Sequence, residues 1–119
     1  MQTCPMARTL SHIGREALWQ LIESHDDFVL VDALAPISYG ASHLPGAINI
    51  PPDSVDERAP RLIPDRDTDV VVYCADSTCD SSEIVARRLL ALGYRNVRHY
   101  AAGKRDWTKA GLPLEGGRV

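Results

Sequence analysis

Apolar residues along this chain gather into short unbroken runs, separated by segments with helical spacing. Phe28 to Asp32, FVLVD, is a continuous apolar run closed by an acid, as in a strand buried on both faces. Val70 to Tyr73 is β-branched or aromatic throughout and predicts the strongest strand. Ala47 to Ile50 predicts a short strand and Val97 to Tyr100 a last one. Ser11 to Glu23 predicts the first helix, with Ser11 as its N-cap and Ala17, Leu18, Leu21 and Ile22 on one apolar stripe. Tyr39 to His43 predicts a helical turn, and Val55 to Leu62 a weak helix broken by Pro60. The clearest helix opens at Ser81 or Ser82 as cap, turns Ile84, Val85, Leu89 and Leu92 inward, and stops at Gly93. Glu83 and Arg87 stand four apart on its polar face. Lys104 to Ala110 predicts a closing helix that carries Trp107. Strands alternating with helices imply an α/β fold, a mainly parallel central sheet with helices on both faces.

At 119 residues, with no internal repeat or low-complexity linker, the expectation is a single domain over residues 1–119. The net charge of −3 is spread over interspersed acids and bases, so no electrostatic footprint for nucleic acid or an anionic membrane exists. MQTCPMARTL lacks an apolar leader core, and no later stretch approaches the roughly 20 apolar residues of a membrane span. A soluble cytoplasmic protein is expected. The three cysteines then read as reduced thiols with a chemical or packing role rather than a disulfide framework.

Two of them stand together in VVVYCADSTCDSS. Ligands of parallel sheets bind beyond the carboxyl ends of the strands, and Cys74 lies at such an end. The loop of Ala75, Asp76, Ser77, Thr78, Cys79, Asp80, Ser81 and Ser82 can aim backbone N–H groups inward, and a helix N-terminus adds positive potential. Such a setting lowers the pKa of the Cys74 thiol and makes it a nucleophile. The competing reading makes Cys74 a small apolar residue finishing a buried strand. Cys79 likewise has two readings: a thiol that resolves an oxidised or persulfidated Cys74, or a residue that fills space before the helix. The spacing of Cys74 and Cys79 does not suit a metal site, and neither a metal nor another cofactor is expected. No glycine-flanked serine suggests a hydrolase. His12, His25, His43 and His99 are scattered and read as surface or packing residues rather than general bases.

Several of these segments resemble the single-domain rhodaneses, a family of sulfurtransferases. HLPGAINIP, His43 to Pro51, resembles the family's first signature, and Asp32 closing FVLVD resembles its early strand. VVVYC and LLALGYRNVRHYAAGKRDWTKAGLP resemble the active-site strand, the following helix, the last strand and the tryptophan-bearing end. The resemblance runs from about Ser11 to Pro113. It implies a rhodanese-like three-layer sandwich in which Cys74 takes a sulfane sulfur as a persulfide. Cys74 would pass it to a thiol, cyanide or protein acceptor. The donor would be a small sulfur compound or a persulfidated protein. It also implies that His43 and Trp107 serve the architecture, and that Asp32 either orients loops near the site or caps the core.

The chain departs from the family pattern in two ways. The serine that opens the helix falls at Ser82, which makes the loop about two residues longer than is common in the family. The loop also carries Asp76 and Asp80 but no basic residue. Carboxylates close to the sulfur would raise its pKa and repel anions such as thiosulfate. The alternative is that they point to solvent or, for Asp80, cap the helix. Phosphatases of the same fold use a loop arginine, and its absence excludes that chemistry. The leading reading is a sulfurtransferase. The alternatives are a thiol-redox module using Cys74 and Cys79, and an inactive rhodanese-like module used for protein binding.

Overall fold

The computed structural model describes residues 10–116. The chain start read above for a leader, including Cys4, lies outside the described residues. A five-stranded, wholly parallel sheet runs in the order β1-β5-β4-β2-β3. Its strands are β1 (Ser11–His12), β2 (Val29–Asp32), β3 (Ile48–Asn49), β4 (Asp69–Tyr73) and β5 (Asn96–Tyr100). Between and after them come α1 (Arg15–Glu23), α2 (Pro36–Ala41), α3 (Val55–Leu62), α4 (Ser81–Ala91) and α5 (Gly103–Lys109).

The two-residue period of β4 divides the core. Val70, Val72 and Cys74 join the layer that holds Val55, Ala59, Val85, Ala86 and Leu89 of α3 and α4. Val71 and Tyr73 join the opposite layer, with Leu18 of α1 and Trp107 of α5. Helices therefore cover both faces of the sheet, and β4 is buried from Val70 to Tyr73.

Four expectations about the elements change. Ser11 does not cap the first helix. Ser11 and His12 pair with Arg98 and His99 of β5, Ile13 donates its amide to the His99 carbonyl, and the helix starts after Gly14. Pairing with the free edge of β5 satisfies backbone groups that a longer helix would leave exposed. Ala17 is exposed, so the stripe reduces to buried Leu18 with half-buried Leu21 and Ile22. The second helix runs over Pro36–Ala41 rather than Tyr39 to His43, because Pro36 suits its first turn, where no N–H is needed. Pro60 does not break α3; Val55 and Ala59 hold its inner face in the core.

The α4 helix also starts differently. Asp80 is its N-cap and makes no side-chain capping bond, so neither Ser81 nor Ser82 is the cap. Ile84 is exposed, not inward. The helix stops as expected: Gly93 adopts φ 100° and donates to the Leu90 carbonyl, while Tyr94 donates to Leu89. Both orphan carbonyls of the last turn are thereby satisfied.

Asp32, at the end of β2, organises the carboxyl edge of the sheet. It accepts the Tyr73 hydroxyl at 2.7 Å and the Leu34 amide at 2.8 Å. The Tyr73 hydroxyl in turn accepts the Leu44 amide at 3.0 Å, which ties the HLPG turn to β4. Asn49 Nδ2 donates to the carbonyls of Asp32 and Leu34, closing the network from β3. Tyr73→Phe should lower stability by about 1–3 kcal/mol, because it strands a buried carboxylate oxygen and the Leu44 amide. Urea unfolding of the variant beside the parent measures this, and equal midpoints would show that water replaces the hydroxyl.

Candidate active site

The chain leaves β4 at Cys74 and is held there by α5. Lys104 and Arg105 donate their amides to the carbonyls of Cys74 and Ala75, both at 2.8 Å. Gly103 makes this approach possible at φ 75°, where a Cβ would lie 2.7 Å from the Cys74 oxygen. The loop then folds on itself. Asp76 accepts the Thr78 amide at 3.0 Å and its hydroxyl at 2.7 Å, while its carbonyl takes the Cys79 amide at 3.2 Å. This turn carries Cys79 back over the end of β4.

Cys74 is 1 % exposed, and its sulfur faces polar groups on two sides. Its Sγ lies 3.3 Å from the Cys79 carbonyl and 3.1 Å from Ser82 Oγ, and the Cys79 thiol is near enough to influence it. Ser82 Oγ lies 2.6 Å from His99 Nε2, and both residues are buried. Cys74, Ser82 and His99 meet because each belongs to the α4 side of the sheet. Val72 pairs with His99 across β4 and β5, and Cys74 follows Val72 by two.

The electrostatics reverse the expectation for Cys74. Burial, reinforced by the Cys79 thiol, pushes its thiol up to about 11, while the Ser82 hydroxyl and amide pull the other way. At Cys79 burial is opposed and outweighed: the Cys74 thiol, the amides of Ala75 and Ser81 and the Ser81 hydroxyl converge on its sulfur and hold its pKa low. The loop's anion-stabilising donors are thus aimed mainly at the second cysteine. Cys74 sits below them, where the strand has not yet left the core.

The remaining candidates divide cleanly. Ser81 serves the Cys79 sulfur and Ser82 the Cys74 sulfur, although both were read as caps. Ser77 and Thr78 are exposed on the turn, and Ala75 contributes its backbone. The Asp76 carboxylate is engaged with Thr78, and Asp80 is exposed; neither acts on the Cys74 thiol, so their proximity does not explain its raised pKa. Burial raises the pKa of Asp32, offset in part by the Tyr73 hydroxyl and the Leu34 amide, and these contacts make it a brace for the core. His43 stacks on Tyr39 with ring centroids 4.0 Å apart, and Trp107 donates Nε1–H to the Pro113 carbonyl at 2.8 Å. His99 was missed as a site residue because its role depends on a neighbour seventeen positions away.

Beside this site a cleft opens between the ends of β2 and β3 and the start of α4, lined by Leu34, Pro36, Pro51, Pro52, Asp53 and Ser81. Ser81 connects it to Cys79.

A parallel sheet covered on both faces, with a cysteine loop at the end of its central strand, agrees with the family comparison. The sequence matches the Rhodanese-like domain family over residues 15–110, and the chain belongs to that family. It is 36% identical over 91 residues to the HTH-type transcriptional regulator Rv0324 of Mycobacterium tuberculosis, a match covering 76% of this chain and 39% of that protein. It is 35% identical over 78 residues to the thiosulfate sulfurtransferase PspE of Escherichia coli, covering 64% and 70%. The fold is similar to the crystal structure of the BH2092 protein from Bacillus halodurans, with a TM-score of 0.84, 22% identity, and coverage of 94% and 81%. The chain thus spans well under half the length of the regulator it matches. No helix among the described residues is long and apolar enough to cross a membrane.

Gly103→Ala should destabilise the fold by about 1–3 kcal/mol, the cost of a side chain at positive φ. The added Cβ also pushes on the Cys74 carbonyl. Chemical denaturation reads the loss, and an unchanged midpoint would mean that the loop moves aside freely.

Proposed function

We propose that this chain is a cytoplasmic sulfurtransferase that carries sulfane sulfur on Cys74. The observation that carries this reading is the position of the Cys74 sulfur. It lies at the carboxyl end of the central strand, under a folded loop that brings a second thiol and a serine hydroxyl to it. The Cys74 thiolate attacks the outer sulfur of a donor persulfide, RS–SH. The new S–S bond forms as the donor's S–S bond breaks, and RS⁻ departs with the electron pair. An acceptor thiolate or cyanide then attacks the outer sulfur of Cys74–S–SH and frees the Cys74 thiolate.

The loop favours a thiol persulfide over thiosulfate as donor, since it contains no basic side chain that would hold a dianion. Persulfide donors need only fit the apolar cleft beside Ser81. Family membership and the resemblance to a protein named thiosulfate sulfurtransferase support the reaction class.

Incubation with a persulfide donor should add one sulfur to Cys74, seen as a mass increase localised to that residue and removed by cyanide. Cys74→Ser should abolish the adduct, and Cys79→Ser should still carry it. The reverse pattern would transfer the carrier role to Cys79.

A second reading rests on the closeness of the two cysteines, with the Cys79 carbonyl 3.3 Å from the Cys74 sulfur. Peroxide oxidation of Cys74 to a sulfenic acid would let the Cys79 thiolate attack Cys74 Sγ, form the disulfide and expel hydroxide. Mild peroxide should then remove two hydrogens from the intact mass and link the two residues. Accumulation of a sulfinic acid on Cys74 beside a free Cys79 would exclude this role.

A further inference from the structure

We propose that Ser82 and His99 form a proton relay that takes the thiol proton of Cys74 into the protein as the thiolate attacks a donor. The proposal rests on the reading of Cys74 as the sulfur carrier and adds to it the place where the proton goes. Cys74 is 1 % exposed, so a side chain in contact with the sulfur is better placed than bulk solvent to receive its proton. The geometry offers one. Cys74 Sγ, Ser82 Oγ and His99 Nε2 form a continuous chain with links of 3.1 and 2.6 Å.

The chain is satisfied in both protonation states without moving a heavy atom. At rest the Cys74 S–H is shared between the Cys79 carbonyl and Ser82 Oγ, and in the relay-competent arrangement it donates to Ser82 Oγ, whose own O–H donates to a neutral His99 Nε2. After transfer, His99 Nε2–H donates to Ser82 Oγ, and Ser82 donates to the thiolate. As the donor RS–SH arrives, the Cys74 proton moves to Ser82 while the Ser82 proton moves to His99. The thiolate takes the outer sulfur, RS⁻ leaves with the electron pair, and the proton held on His99 returns along the same path to RS⁻. No oxidant or reductant is consumed.

The surroundings keep His99 ready to accept. Burial lowers its pKa from 6.5, so it is neutral near pH 7. The groups facing it come from two elements. His12 on β1 has its ring centroid 5.4 Å away and, when charged, lowers the His99 pKa further. From α4, Glu83 favours the imidazolium and Arg87 opposes it, and these two are themselves paired at 3.0 Å. Ser82 is also hard to explain by packing alone. It occupies the inward stripe of α4 ahead of Val85, Ala86 and Leu89, where an apolar residue would serve and a hydroxyl must be satisfied.

The test compares the parent with His99→Gln, which retains a hydrogen-bonding partner for Ser82 but cannot take the proton, and with Ser82→Ala. Initial rates of iodoacetamide alkylation at Cys74 are followed from pH 5 to 11, with the modified residue located by mass spectrometry. Sulfur loading from a persulfide donor is followed over the same range. In the parent, reactivity should rise as His99 loses its proton below pH 6.5 and then change little. Both variants should react about 100-fold more slowly at pH 7. They should gain about tenfold per pH unit and so meet the parent about two units higher, near pH 9, beyond which parent and variants rise together toward the thiol's own value of about 11. Equal rates at pH 7, or a deficit of the same factor at every pH, would overturn the relay and leave Ser82 and His99 as packing. If the parent takes up no sulfur at all, the sulfurtransferase reading fails, and the alkylation profile still decides the relay.

Discussion

The amides of Lys104 and Arg105 capture the carbonyls of Cys74 and Ala75 where β4 leaves the sheet, and the site depends on this contact. It needs the backbone of α5 almost against that of the loop, a separation that only a residue without Cβ permits at Gly103. The two-residue period of β4 turns the Cys74 side chain toward α4, while the two carbonyls are held from α5 in the other layer. The helix that carries Trp107 into the core of one layer thus anchors the backbone of a cysteine whose sulfur lies in the opposite layer. Asp32 and Tyr73 hold the neighbouring strand ends in register, so that the loop rises from a rigid edge.

Much of this arrangement is written in the residue pattern. The runs FVLVD and VVVYC demand strands covered on both faces, and their alternation with helices leaves a parallel sheet as the natural solution. The end of the strongest strand then locates Cys74. The Ser82–His99 pair was also legible, but by a different route. In NVRHY the inward Val97 assigns His99 to the same face two residues later, and Ser82, Val85, Ala86 and Leu89 follow the inward spacing of α4. Reading Ser82 as a cap hid that stripe. Reading Ser11 as a cap was an error of another kind: LSHI sets its two polar residues side by side and carries no strand period, and only the unpaired side of β5 decides in favour of strand. The pKa order of the two cysteines could not be read from the loop's composition. It depends on which sulfur the turn at Asp76 brings beneath the amides, and on how deep the strand end lies.

The two thiols divide properties that a single reactive cysteine usually combines. Cys79 has the donors, partial exposure and the lowered pKa, whereas Cys74 has burial and contact with a titratable histidine through Ser82. A lone thiolate in water-facing surroundings is open to oxidation by whatever diffuses past. In the proposed relay the Cys74 proton stays in place until a donor has entered, which would restrict its reactivity to occupied complexes. The acids of the loop fit this division, because they stay at the surface and leave the interior potential to neutral groups.

Burial of Cys74 at 1 % exposure has a kinetic meaning as well. In the proposed sulfur transfer, a donor would touch the sulfur only while the Ala75–Asp80 segment stood clear of it. Any two donors share that waiting step, however unlike their own reactivities. Changes to the contacts that fold the loop, such as the Asp76–Thr78 bonds, would then scale the turnover of every donor by one common factor. Changes around the sulfur instead spread the donors apart. Under that proposal the loop would act as a common clock, and the ranking of donors would record the chemistry beneath it.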